Sequence, residues 1–75
     1  MVLIDVRTVS EYSNGHYPDA VNHELDLMTK GVLPDFSLDT DIQVYCRSGV
    51  RAAVAKNILE QHGFTQITNI GGYSN

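Results

Sequence analysis

Alternation between strand-like and helix-like segments is the feature that most restricts what this chain can fold into. Apolar runs rich in β-branched residues occupy Val2–Val6 and Ile42–Tyr45, which is typical of buried strands. A third short strand is predicted over Ile67–Ile70. Helical segments at about Ser10–Ser13 and Val50–His62 separate these strands. The order predicts an α/β fold, a small open parallel sheet flanked by helices with right-handed crossovers.

Local sequence signals mark where the helices begin and end. Thr8 and Glu11 have the spacing of a capping box, in which each side chain accepts from the other residue's backbone N–H. Gly63 stands where a glycine follows the C-terminus of the long helix. Between the first two long strands we predict a brief strand at Ala20–His23 and a helical turn at Leu25–Met28. The residues expected on the buried face of the long helix are Val50, Ala53, Val54, Ile58 and Leu59.

Size and charge exclude several classes of protein. A chain of 75 residues buries only about 60% of its unfolded surface, so we predict one domain, residues 1–75. The net charge of −4 argues against a nucleic-acid or anionic-membrane partner, and no apolar run is long enough to cross a bilayer. No leader sequence is visible, so we expect a cytoplasmic location as given, or a periplasmic one if a signal peptide has been removed.

Cys46, the single cysteine, stands at the end of a predicted strand. Open parallel sheets bind ligands beyond the carboxyl ends of their strands. The loop that follows, Arg47–Arg51, can turn consecutive backbone N–H groups toward one point at a helix N-terminus, and Gly49 eases that turn. Arg47 and Arg51 add positive charge. We therefore expect a reactive thiol with a pKa below about 8.5 rather than a small buried hydrophobe.

Four ordered segments resemble one known family. Cys46–Arg51 resembles the active-site loop of rhodanese domains, which are sulfurtransferases that carry sulfur as a cysteine persulfide. Ile4–Arg7, followed by Glu11–Tyr12 and Gly15–Asn22, is similar to the family's first signature, and Asn69–Gly72 resembles its closing signature. The resemblance covers nearly the whole chain. Most members also carry a helix and strand before the first signature and a tryptophan after the last, which this sequence lacks.

The resemblance implies a reaction and a role for each residue of the loop. Cys46 would attack the outer sulfur of thiosulfate, release sulfite, and pass the sulfur to cyanide or a thiol, without a cofactor or a metal. Arg47 and Arg51 would attract the anionic donor. The residues whose amides would cradle the persulfide are Arg47, Ser48, Gly49, Val50 and Arg51.

The length of the loop separates this reaction from related ones. Four residues lie between Cys46 and Arg51, one fewer than in the rhodanese-like phosphatases and arsenate reductases, whose loops hold a tetrahedral oxyanion. The resemblance therefore favours sulfur transfer over phosphate or arsenate chemistry. A module that receives sulfur from a partner protein in a relay would use the same persulfide and stays open as the alternative. A catalytically idle domain is disfavoured by the intact cysteine.

Asp5 and His16 are candidates for supporting roles. Asp5 lies at the same predicted sheet edge as Cys46, so we expect an ion pair with Arg51 or Arg7. A catalytic role is disfavoured because a carboxylate beside a thiolate raises the thiol pKa. His16 precedes a turn, and we expect it to hydrogen-bond backbone there. The scattered histidines show no zinc spacing, and the tyrosines form no base-stacking ladder.

Overall fold

The structure is a computed structural model that describes residues 1–73. The predicted domain, 1–75, therefore ends outside the described residues. The predicted order of the strands and helices is confirmed. In chain order the elements are β1 (Val2–Asp5), α1 (Val9–Ser13), β2 (Val21–Asn22), α2 (Leu25–Thr29), β3 (Ile42–Cys46), α3 (Val50–Gln61) and β4 (Ile67–Gly72).

The four strands form one sheet in the order β2-β1-β3-β4, and every neighbouring pair is parallel. The central pair runs from Val2 opposite Ile42 to Asp5 opposite Tyr45. Parallel neighbours need a crossover connection rather than a tight hairpin, and α1, α2 and α3 lie in these connections. The carboxyl ends of all four strands consequently meet at one edge of the sheet, where Cys46 ends β3.

The hydrophobic core lies between one face of the sheet and the helices α2 and α3. On β3, Ile42, Val44 and Cys46 belong to this core, as the two-residue alternation of side chains along a strand requires. Met28 is the fully buried residue of α2. The remaining members of the core cluster are Ile4, Val6, Ala52, Ala55, Leu59, Phe64 and Ile67.

The buried face of α3 differs from the predicted one. Of the five residues predicted to share that face, only Leu59 is fully buried, and Val50 and Val54 are 70% and 45% exposed. Ala52 and Ala55 face the sheet instead. The spacing of apolar residues predicted the wrong face of α3. Two small alanines allow the helix to pack closely on the sheet, and the larger valines face solvent.

The predicted helix ends are confirmed. Thr8 is the N-cap of α1, and it forms both hydrogen bonds of the capping box with Glu11. Gly63 follows α3 with a φ of 97°, and the N–H groups of Gly63 and Phe64 bond back to carbonyls in the last turn, as in a Schellman motif. Within residues 1–73, no helix is long and apolar enough to cross a membrane.

Candidate active site

Cys46 lies at the junction between β3 and α3, at the carboxyl edge of the sheet. Arg47 and Ser48 are exposed in the connecting loop, and Gly49 adopts a left-handed conformation with a φ of 95° directly before the first residue of α3. Glycine is the residue that adopts this φ at little cost. The structure therefore places the predicted segment Cys46–Arg51 as one loop that passes into a helix N-terminus.

The Cys46 thiol is surrounded by backbone N–H groups and has no exposed surface. The Gly49 N–H donates to Cys46 Sγ over 3.0 Å. Burial by itself raises the pKa of the Cys46 thiol, but hydrogen bonds from the backbone N–H groups outweigh it, so the pKa lies below its ordinary value. These N–H groups belong to Ala52, Ser48, Gly49 and Arg51. An inert buried cysteine would show the opposite direction. The sequence did not indicate Ala52, which contributes through its backbone alone.

The end of β4 braces the Cys46 loop. Asn69 Nδ2 donates to the Gly49 carbonyl over 3.0 Å, and Asn69 Oδ1 accepts from the Gly71 N–H over 2.9 Å. A Cβ on Gly49 would lie 3.3 Å from Gly71 Cα, and a Cβ on Gly72 would overlap the Arg47 carbonyl. The missing side chains of Gly49 in the loop and Gly72 in β4 thus allow the two backbones to touch. The sequence marked this segment by resemblance without indicating Asn69 as the brace.

The two arginines of the loop have different surroundings. Arg47 is exposed. Arg51 forms an ion pair with Glu11, in which Nη1 and Nη2 donate to Oε1 and Oε2 over 2.6 and 2.9 Å. The side chains of Arg51 and Glu11 are 36% and 30% exposed. The sequence indicated Glu11 as a capping residue and as part of the first signature, but not its pairing with Arg51, because a contact across 40 positions leaves no local pattern.

Asp5 is fully buried and pairs with Arg7, one of its two predicted partners, and not with Arg51. Arg7 Nη2 donates to Asp5 Oδ2 over 2.6 Å and to the Gly15 carbonyl over 2.7 Å. The hydrogen bonds that Arg7 donates to Asp5 raise the pKa of Arg7 further, which keeps the guanidinium charged. Asp5 therefore supports the sheet edge beneath the loop, and its charge is compensated away from the thiol.

His16 contacts backbone, as predicted. Its Nδ1 lies 2.7 Å from the Tyr12 carbonyl oxygen, and its ring stacks on the Tyr12 ring with 3.6 Å between centroids. Both contacts hold the turn that follows α1. No contact joins His16 to Cys46 among the hydrogen bonds of residues 1–73.

A pocket of about 240 Å³ adjoins Arg51 on the helical side of the sheet edge. It is lined by Val6, Thr8, Glu24, Leu25, Asp26, Thr29 and Arg51. Apolar side chains and two carboxylates share its wall, and the Arg51 residue also gives its backbone N–H to the Cys46 sulfur. Across the described part of the chain, no three His, Cys, Asp or Glu side chains are grouped to hold a metal ion.

Comparison with known proteins gives one consistent match. A family model described as the rhodanese-like domain matches residues 1–75. A sulfurtransferase of Allochromatium vinosum is 33% identical over 72 residues, covering 96% of this chain and 66% of that protein. The thiosulfate sulfurtransferase PspE of Escherichia coli is 36% identical over 72 residues, covering 92% of this chain and 67% of that protein. The chain spans about two thirds of the length of these relatives.

A solved structure agrees with the sequence comparison. The structure described as a rhodanese with anions from Escherichia coli is 30% identical to this chain, with a TM-score of 0.82. The match covers 95% of this chain and 85% of the other. The similarity therefore extends over nearly the whole fold.

Proposed function

The chain belongs to the rhodanese-like domain family, and we propose that it is a sulfurtransferase whose Cys46 carries the transferred sulfur as a persulfide. The named relatives support sulfur transfer in general. The proposal for Cys46 depends on one observation, the thiol enclosed by backbone N–H groups at the start of α3, with the Gly49 N–H at 3.0 Å. Fixed dipoles of this kind favour a thiolate where solvent is excluded.

The proposed reaction has two halves, with thiosulfate as the sulfur donor. In the first, the Cys46 thiolate attacks the outer sulfur of thiosulfate and forms a new S–S bond, while the bond within thiosulfate breaks and sulfite leaves with its electron pair. In the second, cyanide or a thiolate attacks the outer sulfur of the persulfide. The persulfide S–S bond breaks with its electron pair going to Cys46, which regenerates the thiolate and releases thiocyanate or a new persulfide. No oxidant or cofactor is consumed, because the sulfur atom only changes partners.

The loop backbone would supply most of the stabilisation in both halves. When Cys46 is the leaving group, negative charge returns to its sulfur, and the surrounding N–H groups stabilise that charge. This favours transfer of the sulfur to the acceptor. The residues proposed for this cradle are Arg47, Ser48, Gly49, Val50 and Arg51, with Ala52 added on the basis of its N–H group. Because Cys46 has no exposed surface, a donor reaches the sulfur only after the groups around it move.

Arg47 is the residue best placed to attract an anionic donor. Arg47 is exposed in the loop directly after Cys46, and its guanidinium offers a forked set of donors for the oxygens of thiosulfate. The Arg51 guanidinium is paired with Glu11. It therefore contributes to donor binding only as far as it can bind the donor and Glu11 together. Asp5 has a supporting role through Arg7.

Mass spectrometry of the protein after thiosulfate treatment tests the proposal. We expect the mass to rise by one sulfur atom, the added sulfur to map to Cys46, and cyanide to remove it as thiocyanate. Cys46→Ser is the matched control, because serine fills nearly the same volume without the sulfur nucleophile. Sulfur transfer that persists in Cys46→Ser would refute the persulfide mechanism.

A second experiment, which compares free thiosulfate with a desulfurase as the sulfur donor, separates the enzyme from a protein-to-protein sulfur carrier. A sulfurtransferase that uses free thiosulfate turns over many times with thiosulfate and cyanide. A relay module takes up sulfur from a desulfurase partner instead and leaves free thiosulfate unused. Measuring both reactions with one protein preparation identifies which donor loads Cys46.

A further inference from the structure

The Arg51 guanidinium is held by Glu11 in a geometry that uses two of its nitrogens. Nη1 donates to Glu11 Oε1 over 2.6 Å, and Nη2 donates to Glu11 Oε2 over 2.9 Å. Such parallel hydrogen bonds form the strongest kind of arginine–carboxylate contact. The positive charge of Arg51 is therefore matched by a negative charge at the same place.

Glu11 is itself held from the other side. Its Oε1 accepts from the Thr8 backbone N–H and from Thr8 Oγ1, each over 3.2 Å. The hydrogen bonds from Arg51, opposed by burial and helped by those from Thr8, lower the pKa of Glu11 to about 2. At neutral pH the carboxylate is thus charged and fixed in position. The capping box of α1 and the ion pair with Arg51 share one side chain.

In the described part of the chain, Arg47 has no such partner. Within residues 1–73, the ion pairs join Arg7 to Asp5, Lys30 to Asp26 and Arg51 to Glu11, and none includes Arg47. The Cys46 loop therefore carries two guanidinium groups and one compensating carboxylate. A dianion that approaches this loop meets a smaller positive charge than the loop sequence suggests.

We propose that Glu11 is a specificity-determining residue of the Cys46 site, which lowers the affinity for doubly charged donors by cancelling the charge of Arg51. Glu11 acts through Arg51 and touches no reacting atom, so it is a positioning residue. For the choice of donor, this inference rests on the proposed sulfurtransferase function. Cancelling the charge of Arg51 lowers the affinity for donors of low charge, such as organic persulfides, less than the affinity for thiosulfate, because their attraction to a cation is weaker.

The first test compares Glu11→Gln with wild type in steady-state turnover of thiosulfate at low ionic strength. Glutamine also serves in a capping box, so α1 keeps its N-terminal hydrogen bonds. We expect KM for thiosulfate to fall about two- to fivefold, the range of one exposed ion pair, with kcat within about twofold. The gain should fade at about 1 M salt, where the screening length is about 3 Å.

Glu24→Gln is the matched control. Glu24 lines the same pocket as Arg51 and loses the same unit of charge on substitution, but its carboxylate accepts from the Val9 N–H and is not paired with Arg51. We expect a change in KM of less than about 1.5-fold. A KM that is unchanged or raised in Glu11→Gln, or lowered equally in both variants, would overturn the proposal.

A second test works without sulfur transfer. Iodoacetate and iodoacetamide both alkylate Cys46, and the two reagents differ mainly in that iodoacetate is negatively charged. The alkylation rate with iodoacetate divided by the rate with iodoacetamide therefore reports the local charge at the thiol. We expect this ratio to rise about two- to fivefold in Glu11→Gln and to stay near the wild-type value in Glu24→Gln. An unchanged ratio in Glu11→Gln contradicts the inference, whereas failure of thiosulfate to load Cys46 contradicts only the proposed function.

Glu11→Asp keeps the result decisive if Glu11→Gln is too unstable to purify. Aspartate retains the charge on a shorter side chain, which cannot reach Arg51 as closely as the 2.6 Å contact of glutamate. The alkylation ratio should then move in the same direction as for Glu11→Gln and by a smaller amount. A ratio that falls below wild type would refute the inference.

Discussion

The Tyr45 hydroxyl donates a 2.9 Å hydrogen bond to Asp5 Oδ2, and both residues are fully buried. This bond joins the ends of the two central strands, one residue before Cys46. Tyr45 Oη also accepts from the Tyr17 N–H over 3.2 Å. Burial raises the pKa of Tyr45 to about 12, and the hydrogen bond to Asp5 adds to the shift, so the hydroxyl remains a donor. The Cys46 loop thus begins directly after a buried, hydrogen-bonded pair of side chains, Asp5 and Tyr45.

Asp5→Ala should destabilise the fold strongly. The substitution leaves the Arg7 guanidinium buried without its carboxylate, a change that costs about 3–5 kcal/mol in other buried pairs. Tyr45→Phe should cost about 1–3 kcal/mol, because it removes one donor and leaves Asp5 and Tyr17 each one partner short. Urea unfolding measures both, with the exposed Asp35→Ala as a control expected to change stability by less than about 0.5 kcal/mol. Equal stability of Asp5→Ala and Asp35→Ala would contradict this assignment.

Local patterns were enough to predict most of the fold. The strand runs, the Thr8–Glu11 capping box and Gly63 each depend on neighbours a few residues away, and all three predictions are confirmed. The face of α3 was predicted wrongly, because burial depends on how closely the helix approaches the sheet. Ala52 and Ala55 permit that approach, and hydrophobicity alone does not rank alanine above valine.

The candidate site was predictable in its position and less so in its charges. Cys46 and its loop are contiguous in sequence, so the spacing indicated an amide cradle directly. Glu11 pairs with Arg51 across 40 positions, and Asn69 holds the Gly49 carbonyl across 20. Neither contact follows from local periodicity, since each depends on which strand ends lie side by side.

The pH dependence of Cys46 alkylation should show a lowered thiol pKa. Only the thiolate reacts, so the rate rises with pH through the pKa, and a lowered pKa moves the midpoint to lower pH. We expect a midpoint below about 8.5 in the folded protein and a return to about 8.5 in denaturing urea. Because backbone N–H groups act on the sulfur, Arg47→Gln should keep a midpoint below the urea value. A folded-state midpoint at or above that of the denatured chain is the result that excludes the cradle.

Gly72→Ala should impair sulfur transfer by displacing the loop. A Cβ at this position would overlap the Arg47 carbonyl and lie 2.7 Å from its carbon, so the loop or β4 must shift. We expect at least a tenfold loss of kcat/KM, about 1.4 kcal/mol or more of transition-state stabilisation. Gly31→Ala is the control, since Gly31 has open space around it and the cost of an alanine there comes from its φ of +86° rather than from a clash. It should lower stability without lowering turnover per folded molecule, and a similar loss of turnover in both variants would argue against a specific role for the Gly72 contact.

The length of the Cys46–Arg51 loop should decide which anion the site accepts. We infer that four intervening residues make a loop that admits one sulfur atom beside the thiolate once the groups around the buried Cys46 move, with the rest of the donor outside. A phosphate monoester would need its whole tetrahedral group inside the loop, which by the resemblance is one residue too short to hold it. We therefore expect thiosulfate turnover together with aryl-phosphate hydrolysis at background level. Inserting one glycine after Gly49 should lower sulfur transfer by widening the loop, and phosphate or arsenate binding to the widened loop would be measured by competition with Cys46 alkylation. Robust phosphatase activity in the unmodified protein would overturn the sulfurtransferase proposal, because the same closed loop cannot favour both anions.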